Sequence, residues 1–361
     1  TNLMSILQEH SLKTEKPIIF FDPKGDLGAL TDFKRLCAEN KRPCYIFSEH
    51  YKGSITLNPF KDGSINNIAD RIMKSYKWES EFYHDCCKSK LYEVLEKITK
   101  EEKEITLERI HDYYKSMMDT NSNGLLTRLQ SIKLSDFGEI FGIEGGLTVA
   151  KIREERACLY IGLSTQGYGE TATAIGKILL GELLFNSYQS LTLAPEEALK
   201  NPISVYFDEF GSLVSDQFIE LQNKCRGAGI ELTLAVQTSA DIDKVSPDLT
   251  RQVIENAGNL FILKQRLQYA AELFSEAIGT GITKKQTYRV ENGEKQAMAS
   301  EREVHELLVH PDIIKNLNVG QCVLLRQGPT RLNLVNVRSR KFAAVQKLNQ
   351  QFEQNSNAFS N

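Results

Sequence analysis

The sequence predicts an α/β protein with a mainly parallel sheet and an inserted all-α domain, and three observations carry this prediction. Short apolar runs typical of buried parallel strands recur along the 361 residues. Helix-periodic segments separate most of these runs, as expected of parallel strands joined by crossover helices. One long stretch, residues 63–146, is helix-periodic and contains no strand-like run.

The chain begins with alternating helices and strands. Residues 2–10 carry apolar side chains at helical spacing, and the run at residues 17–22 is continuously apolar up to its final Asp. Such a run is typical of a buried strand. A second helix is expected over about 28–40, ahead of a short strand at residues 44–47.

Strands resume after the all-α stretch. Five runs are expected to be strands, and a helical pattern follows each of the first four: 157–163, 203–207, 231–236, 259–263 and 322–325. A parallel arrangement would gather ligands at the carboxyl ends of these strands. Residues 280–300 are polar without periodicity and are expected to be mobile.

This organisation predicts three parts. Residues 1–62 and 147–345 form a discontinuous α/β core, residues 63–146 form the all-α domain, and residues 346–361 form a flexible polar tail. The hydrophobic fraction of 41% is sufficient to bury a substantial core.

Charge and cysteine content exclude several classes. With 44 basic and 47 acidic residues, the net charge of −3 gives no whole-chain electrostatic attraction to nucleic acid, so any DNA contact must be local or assembled between subunits. Seven cysteines, none in a CxxC pair, encode neither a disulfide framework nor a zinc knuckle. A reducing, cytoplasmic setting is expected. No apolar run approaches the roughly 20 residues that span a bilayer, so the given chain is expected to be soluble.

The strongest chemical signal lies at the end of the strand at 203–207, where Asp208 and Glu209 are consecutive acids. Phosphoryl transfer from ATP needs one carboxylate to hold Mg²⁺ and another group to orient the attacking water. Asp208 fits the first role and Glu209 the second. The alternative is a solvated turn, since acidic residues and glycine are common at strand ends.

Three further features are weak when each is taken alone. The segment Asp22–Asp26 ends the first strand but is also an ordinary turn sequence. Gln237 ends another strand and could project its amide toward a phosphate. Arg226 precedes a Gly-rich turn, where it either complements a helix dipole or reaches the nucleotide of a neighbouring subunit as an arginine finger.

Taken in order, these segments resemble the type IV secretion system coupling proteins, the TraD-like relatives of the FtsK and HerA translocases. The resemblance runs over about residues 1–340, and the all-α insertion falls where that family has its own. The segments that carry it are 18–26, 57–60, 205–211, 226–229, 235–239 and 309–320. Each segment is short, and their shared order makes the match specific.

The resemblance implies a RecA-like P-loop core that binds ATP and Mg²⁺. It implies that the chain begins at the last residue of the phosphate-binding loop, so that Thr1 supplies a hydroxyl to Mg²⁺. The loop's lysine and glycines precede this residue, and the fragment alone is expected to bind ATP poorly. The implied roles elsewhere are a Walker B pair at Asp208 (Mg²⁺) and Glu209, a γ-phosphate sensor at Gln237, a finger supplied in trans by Arg226, and a nucleotide pocket lined by Asp22, Lys24 and Gly25.

The resemblance also implies partners and location. The expected assembly is a homo-hexamer whose central channel passes single-stranded DNA. It would receive relaxase-bound DNA or effector proteins, deliver them to type IV secretion channel components, and attach to the inner membrane by an N-terminal anchor absent from this chain. Two alternatives remain: a recruitment platform that needs no ATPase activity, and a FtsK/HerA-like DNA pump, which the all-α insertion disfavours.

Overall fold

The computed structural model describes residues 2–291 and 294–338 and divides the chain into two compact units. Leu3–Leu249 form the first unit, and the second begins at Thr250. The predictions for Thr1 and for the tail 346–361 lie outside the described residues.

A five-stranded parallel sheet with the order β2-β3-β1-β4-β5 forms the centre of the first unit. Three of its strands, β1, β3 and β4, are buried at every position, which explains their continuously apolar sequences. The predicted α/β class with a mainly parallel sheet is confirmed. The strands are β1 (Ile18–Asp22), β2 (Cys44–Phe47), β3 (Cys158–Gly162), β4 (Ile203–Phe207) and β5 (Ile230–Leu234).

Helices cover both faces of this sheet. On one face, Phe20 and Tyr160 pack with the apolar sides of the first two helices. On the other, Phe207 contacts Phe218 of a later helix with ring centroids 5.9 Å apart. The helices are α1 (Asn2–Lys13), α2 (Leu27–Glu39), α3 (Ile65–Met73), α4 (Glu81–Lys100), α5 (Leu107–Met117), α6 (Asn123–Leu134), α7 (Val149–Glu154), α8 (Thr165–Leu191), α9 (Pro195–Ala198), α10 (Asp216–Lys224) and α11 (Ala240–Asp243).

The stretch from α3 to α6 contains only helices. The segments that precede and follow it meet at Leu57. That residue forms parallel bridges with both Phe141 and Leu147. Its backbone N–H donates to Ile140 O at 2.9 Å. The chain therefore leaves the α/β core and returns to it at one place. The domain boundaries at residues 63 and 146 stay a prediction.

The side chain of Asn58 stabilises this crossing point through hydrogen bonds. The residue is fully buried, and its side-chain amide donates to Glu104 Oε1 at 2.7 Å and to Ile105 O at 3.0 Å. Its Oδ1 accepts from Phe60 N at 3.2 Å. Since every polar atom of this buried amide is used, the Asn in the segment 57–60 has a structural role.

Two buried ionisable side chains, Arg71 and Glu182, lie beside the same crossing. Arg71 of α3 donates to Pro59 O and, at 3.2 Å, to Asp62 O, while Glu182 of α8 accepts from Val149 N at 2.7 Å. The two side chains thus hold the outgoing and the returning segment. Burial raises the pKa of Glu182 to about 7, although Arg71 opposes the shift.

Replacement of this carboxyl is expected to change how stability depends on pH. The pKa of Glu182 rises from 4.5 to about 7 on folding. Between these values the unfolded carboxyl ionises while the folded one keeps its proton, so its contribution to the free energy of unfolding falls by about 3 kcal/mol as pH rises. In Glu182→Gln this decrease in the free energy of unfolding should be absent. Urea unfolding at about pH 5 and about pH 8 measures it.

The control for this prediction is Glu154→Gln, which removes an exposed carboxylate of α7 that forms an ion pair with Lys151. That variant should keep the pH dependence of the wild type. Equal pH slopes for wild type and Glu182→Gln would show that the buried carboxyl has no such influence.

The second unit contains an antiparallel sheet of order β10-β9-β6 and a separate β7–β8 hairpin. Val323 and Leu325 of the sheet pack on Ile314 and Ala271 of two helices. Among the described residues, none of the helices has the length and apolar character needed to cross a bilayer. The elements are α12 (Pro247–Glu255), which spans the division between units, β6 (Asn259–Ile262), α13 (Gln268–Ile278), β7 (Thr280–Glu291), β8 (Glu294–Leu307), α14 (Pro311–Lys315), β9 (Gln321–Gln327) and β10 (Thr330–Asn336).

One prediction for this unit is wrong. The runs at 259–263 and 322–325 are strands, but they pair antiparallel with each other, outside the central sheet. Apolar runs this short do not show whether one face or both faces of a strand are buried. In this sheet, α13 and α14 cover one face. Residues 280–300, expected to be mobile, lie largely in the β7–β8 hairpin, and their mobility stays a prediction. Cross-strand ion pairs such as Lys284–Glu301 stabilise the hairpin, so no apolar periodicity is needed.

Candidate functional site

The carboxyl ends of β1, β4 and β5 lie along one edge of the central sheet. Phe21 pairs with Phe207, and Phe207 pairs with Leu234, so the residues after these positions emerge side by side. The backbone N–H of Asp208 donates to Phe21 O at 3.0 Å. The register therefore brings together the predicted acids and the residues that follow β1 and β5.

Glu209 is the centre of a polar cluster at this edge, the Glu209 cluster, which comprises Lys24, Asp208, Glu209 and Gln237. Glu209 Oε1 accepts a hydrogen bond from the side-chain amide of Gln237 and forms an ion pair with the ammonium group of Lys24. The hydrogen bond to Glu209 raises the pKa of Lys24. The side chains of Lys24 and Glu209 are 46% and 24% exposed, so a ligand can reach the carboxylate from solvent.

The backbone of Glu209 adopts a left-handed conformation, with φ 44° and ψ 49°. This region is disfavoured for residues other than glycine, and non-glycine residues held in it tend to cluster at functional sites. Two hydrogen bonds hold the turn: Glu209 N donates to Asp208 Oδ1 at 3.1 Å, and Phe210 N donates to Ala235 O at 3.0 Å. The strained turn therefore fixes where the Glu209 carboxylate lies.

Asp22 organises the loop that carries Lys24. Its Oδ1 accepts from Lys24 N at 3.0 Å, and its Oδ2 accepts from Asp26 N at 3.1 Å and from the Tyr160 hydroxyl at 2.5 Å. The side chain is buried, and this burial raises the pKa of its carboxyl. Because both oxygens are occupied, the structure gives Asp22 a positioning role. Its direct contact with a nucleotide stays a prediction.

Gly25 and Ser164 make a close approach beside this loop. Gly25 has φ +62°, and a Cβ atom there would lie 2.4 Å from Ser164 Oγ. Only glycine fits here without a shift of Ser164. Ser164 is itself left-handed at φ 45°, and its buried hydroxyl has no hydrogen-bond partner among the described residues.

Ser164 and Tyr160 are not among the residues predicted from sequence. Ser164 lies just beyond the carboxyl end of β3, the neighbour of β1, so the strand-end rule could have found it. Tyr160 lies inside β3 and gives no such signal, because an aromatic residue in a buried strand is ordinary core sequence.

Arg226 is not near the Glu209 cluster within one chain. It is exposed in the turn between α10 and β5, where Gly229 N donates to Arg226 O at 3.3 Å. Arg226 precedes β5 and Gln237 follows it, so the length of a five-residue strand, roughly 17 Å, separates them. The finger role stays a prediction that requires a second subunit.

The donor set of the cluster suits Mg²⁺ and phosphate. Among the described residues, no group of three or more His, Cys, Asp or Glu side chains could hold a metal ion. Magnesium in nucleotide sites needs no such cage, since one or two carboxylates, water and the substrate phosphates supply its oxygen ligands. Asp208 offers such a carboxylate, and Lys24 and Gln237 offer hydrogen-bond donors.

Comparison with known proteins bears on this geometry. Residues 202–319, which include Asp208, Glu209, Arg226 and Gln237, match a family described as the TraM recognition site of TraD and TraG. The structure also superposes on the unbound bacterial conjugative coupling protein TrwBdeltaN70 with a TM-score of 0.72. At 14% identity, the match covers 94% of this chain and 82% of that one.

The chain has the fold of a type IV coupling protein. The sequence resemblance to these proteins is thereby confirmed.

Further matches agree with the coupling-protein fold. TrwB in complex with ADP and Mg²⁺ matches with a TM-score of 0.68 at 14% identity, over 94% of this chain and 82% of that one. VirB4 of Thermoanaerobacter pseudethanolicus matches with a TM-score of 0.58 at 11% identity, over 94% and 87%. A comparison with curated sequences gives no match.

Proposed function

We propose that this chain is the motor part of an ATP-hydrolysing coupling protein. It recruits relaxase-bound single-stranded DNA, protein substrates or both, and drives them into a type IV secretion channel. The observation that carries the proposal is the Glu209 cluster at the carboxyl edge of the sheet. Support comes from TrwB, a protein of the same fold that binds ADP with Mg²⁺ and the ATP analogue ADPNP.

Each residue of the cluster has a different role in ATP hydrolysis. Bound ATP and Mg²⁺ supply the phosphoanhydride bond and the charge that neutralises its oxygens. Asp208 holds the metal, together with the proposed hydroxyl of Thr1. Glu209 orients the attacking water and accepts its proton at the carboxylate, while Gln237 donates its amide toward the terminal phosphate.

Lys24 sets a condition on this mechanism. In the structure its ammonium neutralises Glu209 through an ion pair on Oε1, and Gln237 donates to the same oxygen. While both donors occupy Oε1, that oxygen has little room to accept a further hydrogen bond from the attacking water. In this proposal Oε1 becomes free to orient the water when Lys24 and Gln237 turn toward the nucleotide phosphates.

Assembly completes the site in this proposal. The protein forms a homo-hexamer, held at the cytoplasmic face of the inner membrane by an anchor outside this chain, and DNA passes through the central channel. Arg226 of one subunit stabilises the transition-state charge at the Glu209 cluster of its neighbour. Its exposed place away from its own cluster is consistent with action in trans.

Mixed rings test this arrangement. Arg226→Ala in the full-length protein, phosphate loop included, is expected to lower kcat for ATP hydrolysis by about a thousandfold, the smaller effect typical of arginine fingers. Mixing it with Glu209→Gln subunits should restore part of the activity. In a mixed ring, Arg226 of a Glu209→Gln subunit can lie beside the intact Glu209 of a neighbouring Arg226→Ala subunit. The measurement is phosphate release over a series of mixing ratios.

The matched control is Lys224→Ala, which removes an exposed cation from the end of α10 two residues away. It should leave kcat near the wild-type value. Activity of Arg226→Ala near that value, or mixtures no more active than the sum of their parts, would contradict an arginine that acts between subunits.

A second candidate function is recruitment without hydrolysis. The match of residues 202–319 to a TraM recognition site favours it, since this segment would then serve as a docking surface for a relaxosome protein. This reading makes the Glu209 cluster dispensable for transfer. The two functions therefore differ in the effect of Glu209→Gln on DNA transfer.

A further inference from the structure

Two arginines lie directly opposite each other on the antiparallel sheet of the second unit. Arg326 of β9 is paired in register with Arg331 of β10 on one side and with Asn259 of β6 on the other. Register partners in neighbouring strands project from the same face of a sheet. The face that carries them lies opposite the one packed on α13 and α14, which Leu325 and Val323 occupy.

No carboxylate among the described residues forms an ion pair with either of these arginines. The contact recorded for Arg326 is a hydrogen bond from Nη2 to Asn333 Oδ1 at 2.8 Å. A neutral amide orients the guanidinium without cancelling its charge. Like charges placed directly opposite each other destabilise a strand pair, so the arrangement favours a bound anion.

The two arginines line an open pocket. The Nε atom of Arg326 is buried and has no hydrogen-bond partner among the described residues. Both arginines line a pocket of about 270 Å³, which Asn259 and the Gly328–Pro329 turn complete. This volume exceeds that of a phosphate group. The planar fork of arginine binds phosphate oxygens through two parallel hydrogen bonds.

We propose that Arg326 and Arg331 form a binding site for a phosphate group. Its ligand is either a phosphodiester of a single DNA strand or the phosphate of a free nucleotide. The site is built from residues of the second unit, whereas the Glu209 cluster is built from residues of the first. The site therefore does not depend on ATP hydrolysis, and its failure would leave the proposed motor function untouched.

Binding measurements on the full-length protein test the site. Arg331→Ala is expected to weaken binding of a fluorescein-labelled oligo(dT) by about tenfold, as for one lost charge-assisted contact. The slope of log affinity against log salt should fall by about one. Arg331 is exposed, so its removal should not disturb folding. Arg326→Lys keeps the charge but loses the fork, and should also weaken binding.

The control is Arg266→Ala, which removes another exposed arginine of the second unit, between β6 and α13. Calorimetry with ADP separates the two ligand sources. A loss of oligo(dT) affinity specific to Arg331→Ala assigns the site to DNA, and a loss of one ADP site per chain assigns it to nucleotide. If Arg331→Ala matches Arg266→Ala for both probes, the site does not exist.

Discussion

Glu209→Gln in the full-length protein is expected to lower kcat for ATP hydrolysis at least about a hundredfold, with nucleotide affinity changed only a few-fold. The amide has the size of the carboxylate and can still accept a hydrogen bond from Gln237, so the turn at Glu209 should keep its shape. An amide cannot take a proton from water, and the ion pair with Lys24 is lost. Steady-state phosphate release, with ADP affinity measured beside it, tests the expectation.

Glu231→Gln is the matched control for this change. Glu231 belongs to β5 of the same sheet and also forms an ion pair with a lysine, Lys16, at 2.5 Å. It lies near the amino end of the strand, away from the Glu209 cluster, and is expected to leave kcat unchanged. Loss of activity in both variants would point to a general effect of charge, and retention of half the activity in Glu209→Gln would remove Glu209 from the mechanism.

Arg153→Ala is expected to lower the free energy of unfolding by about 3–5 kcal/mol. The side chain is 6% exposed, and its burial lowers the pKa of the guanidinium. No carboxylate partners it among the described residues, and neutral oxygens accept its hydrogen bonds instead. They are Asn201 O (2.8 Å), Asn186 Oδ1 (3.0 Å), Ser190 Oγ (2.8 Å) and Ala228 O (2.8 Å).

These bonds tie α7 to α8 and to the segments that enter β4 and β5, the two strands that carry Asp208 and Gln237. Removal of Arg153 leaves several buried acceptors without a donor, and each unsatisfied group costs about 1–3 kcal/mol. Urea unfolding followed by circular dichroism measures the change. Activity should fall along with stability, since the strand ends that carry the cluster lose their support.

Lys151→Ala on the same short helix is the control for Arg153→Ala. Lys151 is exposed and forms ion pairs with Glu154 and Glu155 only at the surface, where such pairs contribute about 0–1 kcal/mol. If Arg153→Ala loses no more stability than Lys151→Ala, the buried network does not hold these elements together.

The sequence predicts the central strands well because burial on both faces leaves a continuous apolar signature. That signature locates β4, and the rule that ligands gather at strand ends then singles out Asp208, Glu209 and Gln237. The structure adds what residue types do not encode. The ion pair between Lys24 and Glu209 depends on a left-handed turn at a residue that is not glycine, and no sequence rule predicts such a turn.

Other features escape prediction for different physical reasons. Arg153 is charged, and a charged residue in a short amphipathic helix is ordinarily placed at the surface. The pairing of Arg326 with Arg331 depends on the register of an antiparallel sheet, which pattern alone does not fix for strands with few alternating apolar residues. The role of Thr1 stays a prediction, because this residue lies outside those that the structure describes.

The central claim is that transfer is driven by hydrolysis at the Glu209 cluster. The most direct measurement compares DNA transfer between cells with single-stranded-DNA-stimulated ATPase activity in the full-length protein, for wild type and Glu209→Gln. We expect DNA to stimulate the wild-type ATPase, and we expect Glu209→Gln to lose both stimulated hydrolysis and transfer. Normal transfer by a Glu209→Gln protein that no longer hydrolyses ATP would contradict it and leave the recruitment platform as the function.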